Sequence, residues 1–92
     1  MNTSIDFIAA RAIAVAYARE LAVAVGDEFE ILEGSTIEDP KGWLFFYNSA
    51  DFVRTRSPTD SLAGNGPILV LLDGAVLELP SAVPWDVALK NV

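Results

Sequence analysis

The spacing of the hydrophobic residues changes at Gly26. Before this glycine, apolar residues recur every three or four positions from about Ser4 to Ala24, and many of them are alanine, the strongest helix former. The sequence therefore predicts one long N-terminal helix. Thr3 or Ser4 is the expected N-cap, with Asp6 in the first turn and Gly26 as the end of the helix.

The predicted helix has apolar residues on two faces. At 100° per residue, one stripe comprises Phe7, Ala10, Ala14, Tyr17, Leu21 and Ala24. A second stripe, on a broadly opposite face, comprises Ile5, Ile8, Ala12 and Val15. A helix that packs on one side only has a polar back. We therefore expect either that the helix is covered on two sides or that its second stripe contacts another chain, which would permit a dimer.

After Gly26 the pattern has a period of two. Phe29 and Ile31 alternate with acidic residues, which predicts a strand with one dry face and one acidic face. The register is lost between Leu32 and Gly34, where we expect a bulge or an early bend.

The middle of the chain contains one strongly apolar segment. The turn formers of residues 38–42 precede Trp43 to Tyr47, whose two faces are both apolar, and this predicts the central strand. Residues 48–67 are mostly polar and are expected to be irregular. Within them, Phe52 to Arg56 could form a short edge strand.

The clearest hairpin is near the C-terminal end. The Asp73-Gly74 turn joins Ile68–Leu72 to Ala75–Leu79, and Pro84–Leu89 then predicts a short helix. The element order predicts a two-layer α+β fold, with the long N-terminal helix packed on an antiparallel meander of four strands and a short C-terminal helix. A fifth strand is expected if Phe52 to Arg56 joins. The other face of the sheet is expected to be partly exposed, unless the terminal helix or a partner covers it.

Composition limits the chemistry. The 92 residues are expected to form one domain, residues 1–92, since 52% of them are apolar and the chain is short. Histidine and cysteine are both absent, which excludes Ser–His–Asp and Cys–His nucleophiles, thiol redox centres and the usual structural zinc sites. Carboxylates facing each other across a cleft are rare in so small a chain. We therefore predict a protein that is not an enzyme.

The apolar N-terminal segment could be mistaken for a membrane span or a signal peptide. Arg11, Arg19 and Glu20 lie inside it and make spanning costly. Ala22-Val23-Ala24 has the form of a signal-peptide cleavage site, but no basic residue precedes the apolar region. We therefore predict no membrane contact. The absence of cysteine makes the cytoplasm the expected compartment.

The charge is strongly negative and unevenly distributed. A net charge of −7 opposes binding to nucleic acid. Residues 27–39 contain no Lys or Arg, and we select their acidic residues as candidate partner-binding residues: Asp27, Glu28, Glu30, Glu33, Glu38 and Asp39. The alternative is a solvated edge that keeps the protein soluble. No calcium-loop pattern is present, so no metal is predicted. Arg54 and Arg56 are expected to pair with carboxylates, with an anion site as the alternative.

Two motifs remain. Gly64-Asn65-Gly66-Pro67 lacks the Lys-Ser/Thr of a phosphate loop and the following helix of a dinucleotide loop, so no cofactor is predicted. It is either a turn whose glycines need positive φ or a binding loop. Gly42 to Tyr47 indicates core packing, or else an interface anchored by Trp43 or Tyr47.

These motifs resemble a known family. Gly42 to Tyr47, a polar segment, Leu62 to Val70 and the Asp73-Gly74 turn are similar in order to the immunity protein 35 family of small bacterial α+β proteins. Many members are encoded beside polymorphic toxin genes. The similarity runs from about Arg11 to Leu79. By position, the family motif residues are Trp43, Phe45, Gly64, Asn65 and Pro67. Members usually have a charged residue after the last motif valine, whereas Leu71-Leu72 follows it in this sequence.

The resemblance implies a non-catalytic protein that neutralises a cognate bacterial toxin by binding to it. The alternative function is a small chaperone-like or regulatory domain that holds its partners through apolar surface. Selective, stoichiometric binding to one partner would distinguish the two functions.

Overall fold

A computed structural model gives the architecture of residues 4–62 and 64–92. The elements in chain order are α1 (Phe7–Val25), β1 (Phe29–Ile31), β2 (Ile37–Asp39), β3 (Gly42–Phe45), β4 (Tyr47–Ser49), α2 (Ala50–Thr55), β5 (Ile68–Leu71), β6 (Val76–Glu78) and α3 (Trp85–Lys90). All of the strand pairs are antiparallel. The predicted α+β class, long first helix and short last helix are confirmed.

The long helix begins later than the sequence indicates. Asp6 has an extended backbone and caps α1, because its Oδ1 accepts a hydrogen bond from the main-chain N–H of Ala9 at 2.8 Å. The predicted N-cap at Ser4 is therefore wrong, and Thr3 lies outside the described residues. The predicted end at Gly26 is confirmed, since this residue has the left-handed backbone typical of a helix C-cap.

One row of small residues on α1 faces the sheet. These fully buried residues are Ala10, Ala14, Ala18 and Ala22. Their small side chains allow the helix to approach the strands closely. The buried face of the helix therefore differs from both predicted stripes. Phe7 and Ala24 of the first stripe are exposed. Ile8 of the second stripe is 76% exposed, whereas Ile5 and Val15 pack against the core.

The strands form a four-stranded sheet, ordered β2-β3-β5-β6, and a two-stranded sheet of β1 and β4. Only Phe46 separates β3 from β4, and its carbonyl oxygen accepts a hydrogen bond from the N–H of Leu32 at 2.8 Å. Ile31 pairs with Tyr47 and Ile37 pairs with Leu44, so a segment that advances six residues lies opposite one that advances three. A 3-10 turn at Glu33–Ser35 takes up the difference. The irregularity expected after Ile31 is confirmed, but β2 was not predicted.

The central strand β3 is buried on both faces. The buried core residues on the α1 side of the sheet include Ile31, Trp43, Phe45, Tyr47, Ile68 and Val70. Those on the other side are Leu44, Leu69, Leu79, Ala88 and Leu89. Since the last two residues belong to α3, the terminal helix covers part of the second sheet face. Lys41 Nζ secures this helix by donating to the main-chain oxygens of Leu89 at 2.7 Å and Val92 at 3.1 Å.

The predicted edge strand from Phe52 to Arg56 is wrong, because this segment lies in and just after the short helix α2. Arg54 reaches back one turn to Asp51, with 2.6 Å between Nη2 and Oδ1. The guanidinium of Arg56 lies 5.7 Å from the centre of the Phe52 ring. Pairing with a carboxylate is thus confirmed for Arg54. Alternation over only five residues did not distinguish a strand from a helical turn.

Candidate functional site

The structure divides the six acidic residues predicted to bind a partner. Asp27, Glu28 and Glu30 lie at the start of the two-stranded sheet, where they are exposed. Glu38 and Asp39 lie on β2, at an edge of the four-stranded sheet. The structure therefore does not form one continuous site from the six residues. We call the first three the acidic patch.

Glu33, the remaining acidic candidate, has a basic partner on α1. The Nε of Arg11 donates to Glu33 Oε1 at 3.0 Å, and its Nη2 contacts Oε2. Hydrogen bonding from Arg11 lowers the pKa of the Glu33 carboxyl below its ordinary value. The charge of Glu33 is thus balanced within the protein. This pair could not be predicted from local sequence patterns, because 22 positions separate the two residues.

Three of the five family motif residues stabilise the core. Trp43 and Phe45 are buried on the α1 side of the sheet, and the ring of Phe7 stacks on Phe45 with 6.0 Å between centroids. Pro67 is also buried, and its carbonyl oxygen accepts the N–H of Leu79 at 2.9 Å. The burial of Trp43 agrees with the core interpretation of the aromatic motif.

The other two motif residues shape a loop at the surface. Gly64 has a φ of +77°, as predicted for a turn glycine. The same prediction for Gly66 is wrong, since its φ is not positive. A Cβ atom there would instead lie 1.8 Å from the carbonyl oxygen of Leu79. Asn65 Nδ2 donates to the carbonyl oxygen of Tyr47 at 3.0 Å, and this bond fixes the loop to β4.

A second set of hydrogen bonds attaches the preceding segment to β4. Asn48 Oδ1 accepts the main-chain N–H groups of Ser49 and Leu62, each at 2.8 Å. Its Nδ2 donates to Ser61 Oγ at 3.1 Å, and Ser49 Oγ donates to the carbonyl oxygen of Asp60 at 2.6 Å. Sequence reasoning missed these positions, which appeared only as the start of an irregular region. Two small polar residues directly after an aromatic strand are the signal that was available.

Two clefts lie on either side of this fixed loop. The polar cleft has a volume of about 440 Å³, and its polar side chains are those of Tyr47, Asn65, Glu78 and Ser81. The apolar cleft has a volume of about 360 Å³ and is lined by Leu21, Val25, Phe29 and Leu62, together with residues of the shared wall. The shared wall comprises Tyr47, Gly64 and Asn65. Motif residues thus separate two adjacent depressions of different character.

Comparison with known protein families identifies the family of this chain. The family model described as immunity protein 35 matches residues 9–91. The chain belongs to the immunity protein 35 family. The match extends beyond the Arg11 to Leu79 region of the resemblance and includes α3, so the terminal helix is part of the family's domain. No curated protein and no solved structure matches the chain.

In the polar cleft of this immunity protein 35 family member, the buried Tyr47 lies near the acidic Glu78. Burial raises the pKa of Tyr47, and the nearby Glu78 carboxylate raises it further. Burial likewise raises the pKa of Tyr17 on α1, again with Glu78 as the next cause. None of the described residues that line the cleft is basic. A carboxylate, an amide and a protonated hydroxyl therefore meet in a site without positive charge.

Other kinds of site find no support in the described part of this family member. Residues 4–62 and 64–92 contain no group of three acidic side chains arranged to hold a metal ion. Over the same ranges, no helix combines the length and hydrophobicity required to cross a bilayer.

Proposed function

We propose that this immunity protein 35 family member neutralises a cognate bacterial toxin by binding to it directly and covering the surface that the toxin uses. Family membership over nearly the whole chain supports the proposal. The observation that carries it is the position of the motif loop, Gly64 to Pro67, between two surface clefts. Hydrogen bonds from Asn65 and Asn48 hold this loop and the segment before it in place. A surface fixed before binding loses little conformational entropy when a partner docks.

Charge supports a basic toxin surface as the target. The protein carries a net charge of −7, and the acidic patch of Asp27, Glu28 and Glu30 is exposed. Complementary potentials accelerate the encounter of two proteins and disfavour wrong partners. The patch would therefore guide the toxin toward the clefts. Because the chain has no cysteine and hence no disulfide, we place this action in the cytoplasm of the producing cell.

Co-expression with the product of the adjacent open reading frame tests the proposal. We expect that product to arrest growth when it is expressed alone. Co-expression of this protein should restore growth, and the two chains should co-purify in a fixed stoichiometry. Restored growth without a complex would contradict occlusion. Failure to restore growth at equal expression would contradict toxin neutralisation.

A second candidate function is the holding of many partners through apolar surface. Exposed aliphatic side chains favour it, notably Ile8 (76% exposed), Val23 (72%) and Val25 (68%). A protein of this kind suppresses the aggregation of unrelated unfolded chains. We expect no such suppression here, and light scattering during the dilution of a chemically unfolded test protein measures it directly.

A further inference from the structure

We infer that the two clefts act as one recognition site, in which a toxin places an apolar side chain in the apolar cleft and an adjacent lysine or arginine in the polar cleft. This inference rests on the proposed function and specifies the chemistry of the toxin surface. It draws on the motif loop, whose Asn65 lies at the surface between the clefts, and on the different chemical character of the two clefts.

The polar cleft fits a cationic side chain. Glu78 contributes a carboxylate that only accepts hydrogen bonds when ionised. Asn65 uses its Nδ2 on the carbonyl oxygen of Tyr47, and its Oδ1 accepts no hydrogen bond from the described residues. Lysine and arginine carry only donors and bind carboxylates through charge-assisted hydrogen bonds. The hydrogen-bond acceptors of Glu78 and Asn65, in a cleft whose described lining residues include no lysine or arginine, therefore favour a basic side chain from the partner.

The apolar cleft fits an anchor residue. Leu21, Phe29 and Leu62 form its sides, and Val25 stands at its margin with 68% of its surface exposed. An apolar side chain that enters this cleft would remove Val25 from water as well as itself. Large apolar anchors in such depressions account for much of the affinity of protein interfaces.

Charge around the apolar cleft favours a basic partner over a second copy of this chain. Phe29 lines the cleft and also a neighbouring hollow that contains Asp27 and Glu28 of the acidic patch together with one basic residue, Arg19. Glu78 lies on the other side, beyond the shared wall. Carboxylates thus flank the anchor site on two sides. A second copy of this chain also has a net charge of −7 and would be repelled, whereas a basic toxin surface complements the carboxylates around the cleft.

The shared wall requires the two toxin side chains to be neighbours. Tyr47 and Asn65 line both clefts and are joined by a 3.0 Å hydrogen bond. Leu62 is held by Asn48 Oδ1 at 2.8 Å. The distance between the two clefts is therefore set by the protein before binding. An isolated basic residue or an isolated apolar residue would occupy only half of the site.

Two cleft variants test this inference, each against a matched control. Val25→Arg closes the apolar cleft with a bulky cation, and Ile8→Arg makes the same change at an exposed aliphatic position near the other end of α1. Glu78→Lys reverses a charge in the polar cleft, and Asp86→Lys makes the same reversal at an exposed position of α3. The probe is the purified product of the adjacent open reading frame, and the measurement is its dissociation constant by calorimetry.

We expect both cleft variants to weaken binding at least about tenfold, as loss of an interface anchor does, and both controls to stay within about twofold. Val25→Ala and Glu78→Gln are milder changes of exposed side chains, for which we expect little loss of stability, and each should weaken binding by a smaller factor. Controls that lose as much affinity as the cleft variants would overturn the site while leaving toxin neutralisation intact. An effect at Val25 without one at Glu78 would overturn the paired recognition. A wild-type protein that does not bind the probe would overturn the proposed function together with this inference.

Discussion

Gly66 and Leu79 approach so closely that a Cβ atom on the glycine would lie 1.8 Å from the carbonyl oxygen of the leucine. The neighbouring Pro67 accepts the N–H of Leu79 at 2.9 Å, so the two backbones are paired beyond the ends of β5 and β6. The glycine is therefore required by the proximity of the second backbone. Gly64, two residues earlier, is required for a different reason, because its φ is +77° and the space around its Cβ position is open.

This difference predicts unequal effects of the same substitution. Gly66→Ala should lower the free energy of unfolding by about 3 kcal/mol, because the backbone at Gly66 or at Leu79 must move. Gly64→Ala should lower it by only about 1 kcal/mol, the cost of a left-handed backbone for alanine. Urea denaturation of the two variants measures both values. Equal losses would contradict the close approach at Gly66.

The next prediction concerns the asparagine that fixes the segment before the motif loop. Asn48→Ala removes three hydrogen bonds and leaves the N–H of Leu62 without its acceptor, so the free energy of unfolding should fall by about 1–3 kcal/mol. Hydrogen exchange at the Leu62 amide should accelerate. Asn91→Ala is the matched control, because this exposed amide makes one bond to Val87, and the change should cost under about 0.5 kcal/mol. Equal costs at the two positions would show that the network does not hold the segment.

Sequence patterns predicted the elements whose structure depends mainly on residues close together in the chain. The helix before Gly26 and the hairpin around Asp73-Gly74 were visible because a long apolar periodicity and a strong turn signal define them. Strand β2 escaped prediction because it has three residues, two of them acidic, and it depends on pairing with β3. The break at Phe46 likewise reflects the opposing 3-10 turn rather than any signal of its own.

The candidate site was only partly predictable for the same reason. The Gly64 to Pro67 loop was identified from its residues. Its attachment to Tyr47 spans 18 positions, and the position of Glu78 beside this tyrosine depends on the sheet order. The acidic segment gave the charge of the surface correctly, but the pairing of Glu33 with Arg11 required the helix to be placed on the sheet.

A pH titration tests the geometry of the polar cleft. The two tyrosines of the chain, Tyr17 and Tyr47, both have a raised pKa, with burial as the first cause and Glu78 as the second. Each folded-state pKa exceeds the unfolded value of about 10, so folding favours the protonated form of both tyrosines. The stability linked to this preference is fully present below pH 10 and is lost as the pH rises through the folded-state pKa.

Glu78→Gln should lower the pKa of both tyrosines toward the ordinary value without reaching it, since burial remains. The absorbance of the phenolate during alkaline titration measures the change, and Tyr17→Phe leaves Tyr47 as the sole reporter. An unchanged titration curve in Glu78→Gln would contradict the proximity of the carboxylate to the two hydroxyl groups.

The final prediction concerns the acidic patch. Glu28→Lys with Glu30→Lys should slow association with the toxin and weaken its dependence on salt, because complementary charge acts mainly on the encounter rate. Both residues are exposed, so stability should change by under about 1 kcal/mol. Stopped-flow association at low and high ionic strength measures the effect.

A matched double variant separates position from net charge. Glu38→Lys with Asp86→Lys changes the charge equally at exposed positions outside the patch. It should alter the association rate less than the patch variant does. Equal rates for the two double variants would mean that the patch serves solubility and does not guide the toxin.

Because both faces of β3 are buried, the residues that stabilise the fold differ from those that a partner can contact. Helix α1 packs on Trp43 and Phe45, and α3 packs on the side of Leu44, so the two faces of this strand are covered and the edges and loops of the sheet are open to a partner. Val25 and Glu78 stand on that accessible margin, where a new side chain meets solvent rather than the core. Residues at the clefts can therefore change while the core around β3 stays the same. If the clefts bind the toxin as proposed, substitutions at Val25 and Glu78 should change partner affinity with little loss of stability.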